Sequence, residues 1–300
     1  MPAASIIMPC FNHGRFVEES TQAILVQTCA DLELIIVDDC STDSSWAVIQ
    51  TLARKDPRIR AIRHEINQGA ARSRNDGMRV ATGEFIGFCD ADDVWETTKL
   101  ERQTNLLQNH PEFDVTYGDS IIIDEHGAPT GERFSDRIRP PHASSGWLFP
   151  RLLTRNFVNM QTVLIRRECF HRMGGFAEDI KWVEDWSYWI TLSHVYRFLY
   201  EPTALARYRI HAHSSNIVQR RSAAFNRLKV LRRILRTYPR LPLTARADIL
   251  RNIGGELYDL GKPRAGRRLL WRVVGLVWPD PRTALCRARA FLRILRPARD

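Results

Sequence analysis

Three carboxylates stand within four residues at Asp90-Ala91-Asp92-Asp93, directly after the apolar run Phe85-Ile86-Gly87-Phe88-Cys89. A strand ending in such a cluster sets several hard oxygen ligands at one sheet edge. Like charges packed that closely repel until a cation joins them. Mg²⁺ or Mn²⁺ carrying a diphosphate is the natural guest. An isolated D-x-D-D is more often a solvated turn, so the neighbouring elements and motifs must decide.

Alternating elements position the cluster. Ser5-Ile6-Ile7-Met8-Pro9 reads as a buried strand, residues 15–28 as a helix, and residues 32–37 as a second strand ending at Asp38-Asp39. A helix over 44–55, a strand over 58–62 and a helix over 70–81 lead to the strand before Asp90. This βαβαβαβ order predicts an α/β fold with a mostly parallel central sheet and helices on both faces. Ligands of such sheets bind beyond the carboxyl ends of the strands. Pro9, Asp39 and Asp90 fall at those ends. Further on, 115–117, 121–123 and 163–165 read as strands, and 125–146 as a polar loop. Residues 186–195 read as an aromatic-rich helix, and Asp93 as the cap of a helix starting near Trp95.

Four signals follow in order. The first is Ser5-Ile6-Ile7-Met8-Pro9-Cys10-Phe11-Asn12, and the second is Ile36-Val37-Asp38-Asp39-Cys40-Ser41-Thr42-Asp43. The third is Asn67-Gln68-Gly69-Ala70-Ala71-Arg72-Ser73-Arg74-Asn75-Asp76-Gly77, running on through Ala81-Thr82-Gly83-Glu84 to the acidic cluster. The fourth is Gly174-Gly175-Phe176 with Glu184-Asp185-Trp186 ten residues later. Over about residues 4–215 the chain resembles the family 2 glycosyltransferases, inverting nucleotide-sugar enzymes of the GT-A (Rossmann-like) fold.

That resemblance implies a role for each motif. Pro9, Phe11 and Asn12 would hold the nucleotide base, with Phe11 stacking on it. Asp39 would accept a hydrogen bond from the base imide, which makes a UDP-sugar the default donor. Arg72 would face the diphosphate, because a guanidinium donates two bonds to phosphate at once; Arg74 lies with it at the start of the same helix. Asp90 and Asp92 form the D-x-D pair, Asp90 toward the ribose and Asp92 as the ligand of Mn²⁺ or Mg²⁺. Asp185 would be the general base that takes a proton from the acceptor hydroxyl. Glu184 and Trp182 are expected near the acceptor, and His211 near the diphosphate or metal. Asn159 and Gln161 are placed weakly on the acceptor side. The chain departs from the family pattern at Cys40, where glycine is frequent, and at Glu96-Thr97-Thr98, where proline is common.

Composition sets the outer bounds. The 300 residues carry a net charge of +10, unevenly placed: residues 219–300 hold 21 Lys/Arg against 5 Asp/Glu, and the first 218 hold 23 against 29. The expected division is therefore a catalytic domain over 1–217 and an arginine-rich α-helical C-terminal appendage over 218–300. In the appendage Phe225, Leu228, Leu231 and Leu235 keep helical spacing. Such a basic surface suits anionic lipid headgroups, and acceptors in this family are often lipid-linked saccharides at the cytoplasmic face. The expected location is cytoplasmic, peripheral to the membrane, without a specific nucleic-acid partner. A small packed appendage with solvated arginines is the equally weighted reading. Six scattered cysteines form no C-x-x-C pair and read as free thiols. No G-x-G-x-x-G follows the first strand, which excludes a dinucleotide-binding dehydrogenase. The first strand also lacks the glycine-rich basic loop that a sugar-phosphate nucleotidyltransferase needs. The competing non-enzyme reading is a catalytically degenerate GT-A protein that binds membrane or nucleic acid through its tail.

Overall fold

The computed structural model describes residues 1–138, 144–212 and 220–277. It separates into two compact units: residues 1–152 with 156–214, and residues 153–155 with the chain from 215 onward.

In the first unit, β1 (Ala4–Cys10), β2 (Leu32–Asp38), β3 (Ile59–Arg63) and β4 (Phe85–Phe88) pair in parallel in the spatial order β3-β2-β1-β4. Their side chains are buried on both faces along β1 and β4, as continuous apolar runs in a parallel sheet require. The helices α1 (Val17–Leu25), α2 (Ser45–Lys55) and α3 (Ala70–Val80) connect them. Strand order reverses between β1 and β4, and a crevice opens beyond the carboxyl ends there. Ile7 O accepts the Cys89 amide at 3.1 Å, the last bond on the β4 side. The Pro9 nitrogen faces that side two residues later, beyond the end of β4, so its missing N–H leaves no gap in the ladder.

The Thr82-Gly83 turn brings β4 against β1. Thr82 donates its amide and hydroxyl to Glu33, each at 2.7 Å, and the Gly83 amide donates to Ser5 Oγ at 2.8 Å. A Cβ on Gly83 would lie 2.6 Å from the main chain of Ala4 and Ser5. Gly83→Ala is therefore expected to lose about 2 kcal/mol or more, since overpacking against a rigid backbone costs on this scale. A urea midpoint unchanged from the wild type would refute that close approach.

The second half of the sheet is built differently. β5 (Val94–Trp95), α4 (Lys99–Asn109), β6 (Val115–Ile123), β7 (Pro129–Arg133), the single turn α5 (Phe149–Leu152), β8 (Leu164–Arg166), α6 (Arg167–Met173), α7 (Glu184–Ser193) and β9 (Phe198–Arg209) follow in the chain. They extend the order to β4-β8-β6-β9-β5, with β7 on β6. Here β4–β8, β6–β8, β6–β7 and β5–β9 are antiparallel and only β6–β9 is parallel. The sheet is thus α/β as expected, with a parallel nucleus and a mixed flank. Three expectations need correction. Residues 115–123 form one strand rather than two. The polar stretch after 125 contains β7. No helix starts near Trp95, because Trp95 pairs with Ala206 and α4 begins at Lys99. The long β9 is hidden in the sequence because Glu201, Pro202 and Thr203 interrupt its apolar pattern. The register with β6 shifts there, from Gly118↔Glu201 to Asp119↔Ala204, a bulge that tolerates the proline.

The second unit holds α8 (Arg220–Thr237), α9 (Leu243–Asp259) and α10 (Pro263–Val277). Leu228 and Leu231 are buried as their spacing predicts, whereas Phe225 is 59% exposed. Arg227 Nε donates to Glu256 at 2.7 Å, tying α8 to α9. α9 and α10 approach closely at two glycines: a Cβ on Gly266 would stand 2.7 Å from Gly254 O. No described helix is long and apolar enough to cross a membrane.

Candidate active site

The crevice beyond β1, β2 and β4 gathers most of the predicted residues. Asp90, just past β4, is held on both sides. Its Oδ1 accepts from Arg74 Nη2 at 2.6 Å, its Oδ2 accepts from Gln161 Nε2 at 2.7 Å, and its amide donates to Gln161 Oε1 at 2.9 Å. Gln161 therefore clamps the acidic loop instead of facing an acceptor. Asn159 likewise turns inward and donates to Ser120 Oγ at 2.7 Å.

Arg74 is the central cation. It is 4% exposed, and its other amino group donates to Glu184 Oε1 at 2.7 Å. One guanidinium thus joins the first carboxylate of the D-x-D pair to the glutamate before Asp185. Its two carboxylate partners hold Arg74 protonated against the penalty of burial. Arg72, on the outer side of α3, pairs with Asp76 at 2.8 Å and Glu178 at 3.4 Å.

Asp185 sits in the first turn of α7, half-buried. It accepts from Asn156 Nδ2 at 2.8 Å and from the Trp186 amide at 2.6 Å. Burial, reinforced by the neighbouring Glu184 charge, pushes its carboxyl up to about 7. That value suits a group that must accept a proton near neutrality. Trp189 is fully buried and Trp186 donates its indole N–H to Leu152 O at 2.7 Å, so both fill the core; Trp182 is 39% exposed.

Asp92 Oδ2 meets His211 Nε2 at 3.0 Å. Burial opposes its charge, but the hydrogen bond to His211 and the nearby His13 hold its carboxyl below the usual range. One ligand atom each of His13, Asp92 and His211 lie within 4.8 Å of one another. Two imidazoles and a carboxylate at this spacing fit a divalent cation. Asp93 does not cap a helix. It is buried, its Oδ1 accepts the Arg209 amide at 2.7 Å, and Oδ2 has no hydrogen-bond partner. Burial and the Asp92 and Asp90 charges raise its carboxyl well above the usual range. Arg209 braces the same loop: Nε donates to Asp92 O at 2.7 Å and Nη2 to Glu19 at 2.7 Å.

At the end of β2, Asp39 is buried. Its oxygens accept from the Gln68 amide at 2.8 Å, the Gly69 amide at 2.7 Å and His64 Nδ1 at 2.8 Å. It fixes the loop that starts α3, and each oxygen has two lone pairs, so Oδ2 keeps one for a further donor. Asn12 accepts the Thr42 amide at 2.8 Å and donates its own to Ser41 Oγ at 2.9 Å, stitching the ends of β1 and β2 together. Phe11 is 43% exposed beside it. Asn12, Cys40 and Trp182 adopt positive φ of 57°, 63° and 70°. All three flank the crevice, where strained backbone concentrates in functional sites. The φ of Cys40 gives the physical reason why glycine suits that position.

Asn156, His64 and His13 have no assignment from sequence. They carry no motif of their own, and only the return of distant strands to the crevice brings them in.

The profile of "Glycosyl transferase family 2" matches residues 5–172. An uncharacterized glycosyltransferase of Haemophilus influenzae is 36% identical over 169 residues, 56% of this chain and 64% of that protein. The Escherichia coli UDP-Glc:alpha-D-GlcNAc-diphosphoundecaprenol beta-1,3-glucosyltransferase WfgD is 38% identical over 123 residues, 41% of this chain and 47% of that protein. The match thus spans less than two-thirds of these relatives. Among solved structures, S. aureus TarS 1-349 in complex with UDP-GlcNAc aligns at TM-score 0.65 and 18% identity, over 92% of this chain and 82% of that one. The mannosyltransferase PcManGT of Pyrobaculum calidifontis, in complex with GDP-Man and Mn²⁺, aligns at 0.62 and 18%, over 99% and 81%. These likenesses give the GT-A fold. With the profile covering more than half its length, the chain belongs to glycosyl transferase family 2.

Proposed function

We propose that this protein is an inverting glycosyltransferase that moves a sugar from a UDP-sugar to a hydroxyl of a saccharide or lipid-linked acceptor, with Asp185 as general base. The observation that carries this reading is the Asp90–Arg74–Glu184 bridge. It fixes the nucleotide-side carboxylate and the segment bearing Asp185 to one buried guanidinium, so donor and base are held in a constant relation. In the reaction the acceptor oxygen forms its bond to the anomeric carbon as the bond from that carbon to the diphosphate oxygen breaks on the opposite face. Asp185 takes the hydroxyl proton, and its nearly neutral pKa matches that task. Phe11 offers the exposed ring against which a base can stack, Asn12 and Asp39 hold the surrounding loops, and Arg72 stands at the rim of α3. Glu184 and Trp182 border the acceptor side.

Asp92, with His211 beside it, would hold Mn²⁺ or Mg²⁺. Such a cation, when bound, supplies counter-charge for the departing diphosphate. The UDP-GlcNAc and Mn²⁺ complexes of the structural neighbours, and the UDP-Glc and diphosphoundecaprenol in the name of WfgD, support the donor and acceptor classes. A lipid-linked acceptor also gives the arginine-rich second unit a purpose at an anionic membrane surface, at about 1 kcal/mol per basic residue. The intact Asp90, Asp92 and Asp185 set favours an enzyme over a degenerate binding module.

Calorimetric titration of UDP-glucose and UDP-GlcNAc, with and without Mn²⁺, tests the donor. One of them is expected to bind only with metal, and Asp92→Ala to weaken it by about tenfold or more. Metal-independent binding, or no binding of any nucleotide sugar, would overturn the reading. NMR of the product's anomeric configuration tests inversion.

A further inference from the structure

We infer that His13 is a third protein ligand of the metal site, making it a two-histidine, one-carboxylate site that prefers first-row transition ions to Mg²⁺. The inference rests on the metal reading proposed above and adds a residue that the D-x-D pattern does not include. His13 follows β1, Asp92 follows β4 and His211 follows β9, and their ligand atoms converge within 4.8 Å.

His13 is built into place rather than swept through solvent. Its amide donates to Ser45 Oγ at 2.9 Å, and its carbonyl accepts the Phe16 and Val17 amides, each at 2.9 Å. The next residue, Gly14, donates its amide to Asp43 at 2.9 Å. The ring stands edge-on to that of His211, centroids 5.9 Å apart, and both face Phe16. Yet His13 Nδ1 is buried and has no hydrogen-bond partner. A buried imidazole nitrogen left unpaired carries a desolvation penalty, which a cation taken by that nitrogen would relieve.

The donor set decides the ion. Mg²⁺ demands oxygen ligands and keeps its waters, whereas imidazole suits later first-row ions. A D-x-D carboxylate alone gives little discrimination; two imidazoles beside it give a preference that exists before any nucleotide binds.

Electron spin echo of Mn²⁺ added alone to the full chain counts coordinated nitrogens, and competition with Mg²⁺ measures preference. The wild type is expected to show two coupled imidazole nitrogens and His13→Gln one, with Mn²⁺ affinity down about tenfold or more and Mg²⁺ affinity little changed. His13→Asp keeps a ligand there and is expected to bind Mn²⁺ with one nitrogen fewer and a smaller Mn²⁺-over-Mg²⁺ ratio, which guards against misfolding of the first variant. One nitrogen in the wild type, or an unchanged count in both variants, would overturn the role of His13 while the Asp92–His211 site stands. No Mn²⁺ bound with or without UDP would sink the metal reading itself, and this inference with it.

Discussion

Asp185→Asn is expected to lower turnover by about 10²–10⁴-fold, the usual contribution of a positioned base, while leaving donor affinity unchanged and making the protein more stable. The amide side chain retains an acceptor for the Trp186 amide but cannot take a hydroxyl proton. Stability rises because the native state strains to hold this carboxylate charged, its carboxyl being pushed up to about 7 from 3.8. Below the ordinary carboxylate range both folded and unfolded chains carry the proton, and the variant has no advantage. As pH rises toward 7 the unfolded chain releases the proton more readily than the folded one, so the wild type loses stability; above 7 the loss is constant. The site is partly open to water, so the expected gain at neutral pH is about 1–2 kcal/mol rather than the full shift. Melting curves at about pH 4 and about pH 8, with UDP release as the activity readout, check both halves. A variant no more stable than wild type at the higher pH would contradict the buried-charge account. In the wild type, kcat/KM should rise with pH to a plateau with its midpoint near 7.

Arg74→Met has the largest expected effect on stability. It removes the shared cation and leaves Asp90 and Glu184 facing the interior with side-chain exposures of 30% and 11%. Breaking a buried ionic cluster by deleting one partner costs about 3–5 kcal/mol, and the partial exposure of Asp90 puts this case at about 3 kcal/mol. Adding Glu184→Gln to Arg74→Met should recover part of the loss, since it removes one uncompensated charge. Urea unfolding of the single and double variants measures the coupling. A single variant within about 1 kcal/mol of wild type would mean that the bridge is solvated and carries little. The single variant should also bind donor poorly, because Asp90 then keeps only Gln161 to orient it.

The parallel nucleus was legible because it is written in local signals. Apolar runs ending at Pro9, Asp38-Asp39 and Asp90, separated by helical periodicity, give β1 to β4, α2 and α3 to within about a residue, while α1 is two to three residues shorter at each end than its pattern suggests. The motif carboxylates were legible for the same reason: each lies at a strand end or a helix start. What could not be read was decided by non-local pairing. β9 enters through a bulge that its own composition hides. The sequence points Gln161 toward an acceptor, since nothing in its neighbours says that β8 runs antiparallel beside β4 and brings it to Asp90. Arg74 and Arg72 share one motif and one chemistry, and only the packing of α3 sends the first inward to two carboxylates and the second outward to Asp76 and Glu178.

The return of β9 has a consequence for the chain as it is made. Arg209, which braces the acidic loop through Asp92 O, lies 117 residues further along. At ribosomal rates that interval is roughly 6–23 s. Throughout it the nascent chain carries Asp92 and Asp93 with neither their arginine brace nor His211, and β6, once made, exposes the edge that β9 will cover. A truncated product ending at residue 172, where the family profile stops, would be arrested in that state for good. It would keep the residues most easily recognised as glycosyltransferase and lack Asp185 and the strand that closes the site.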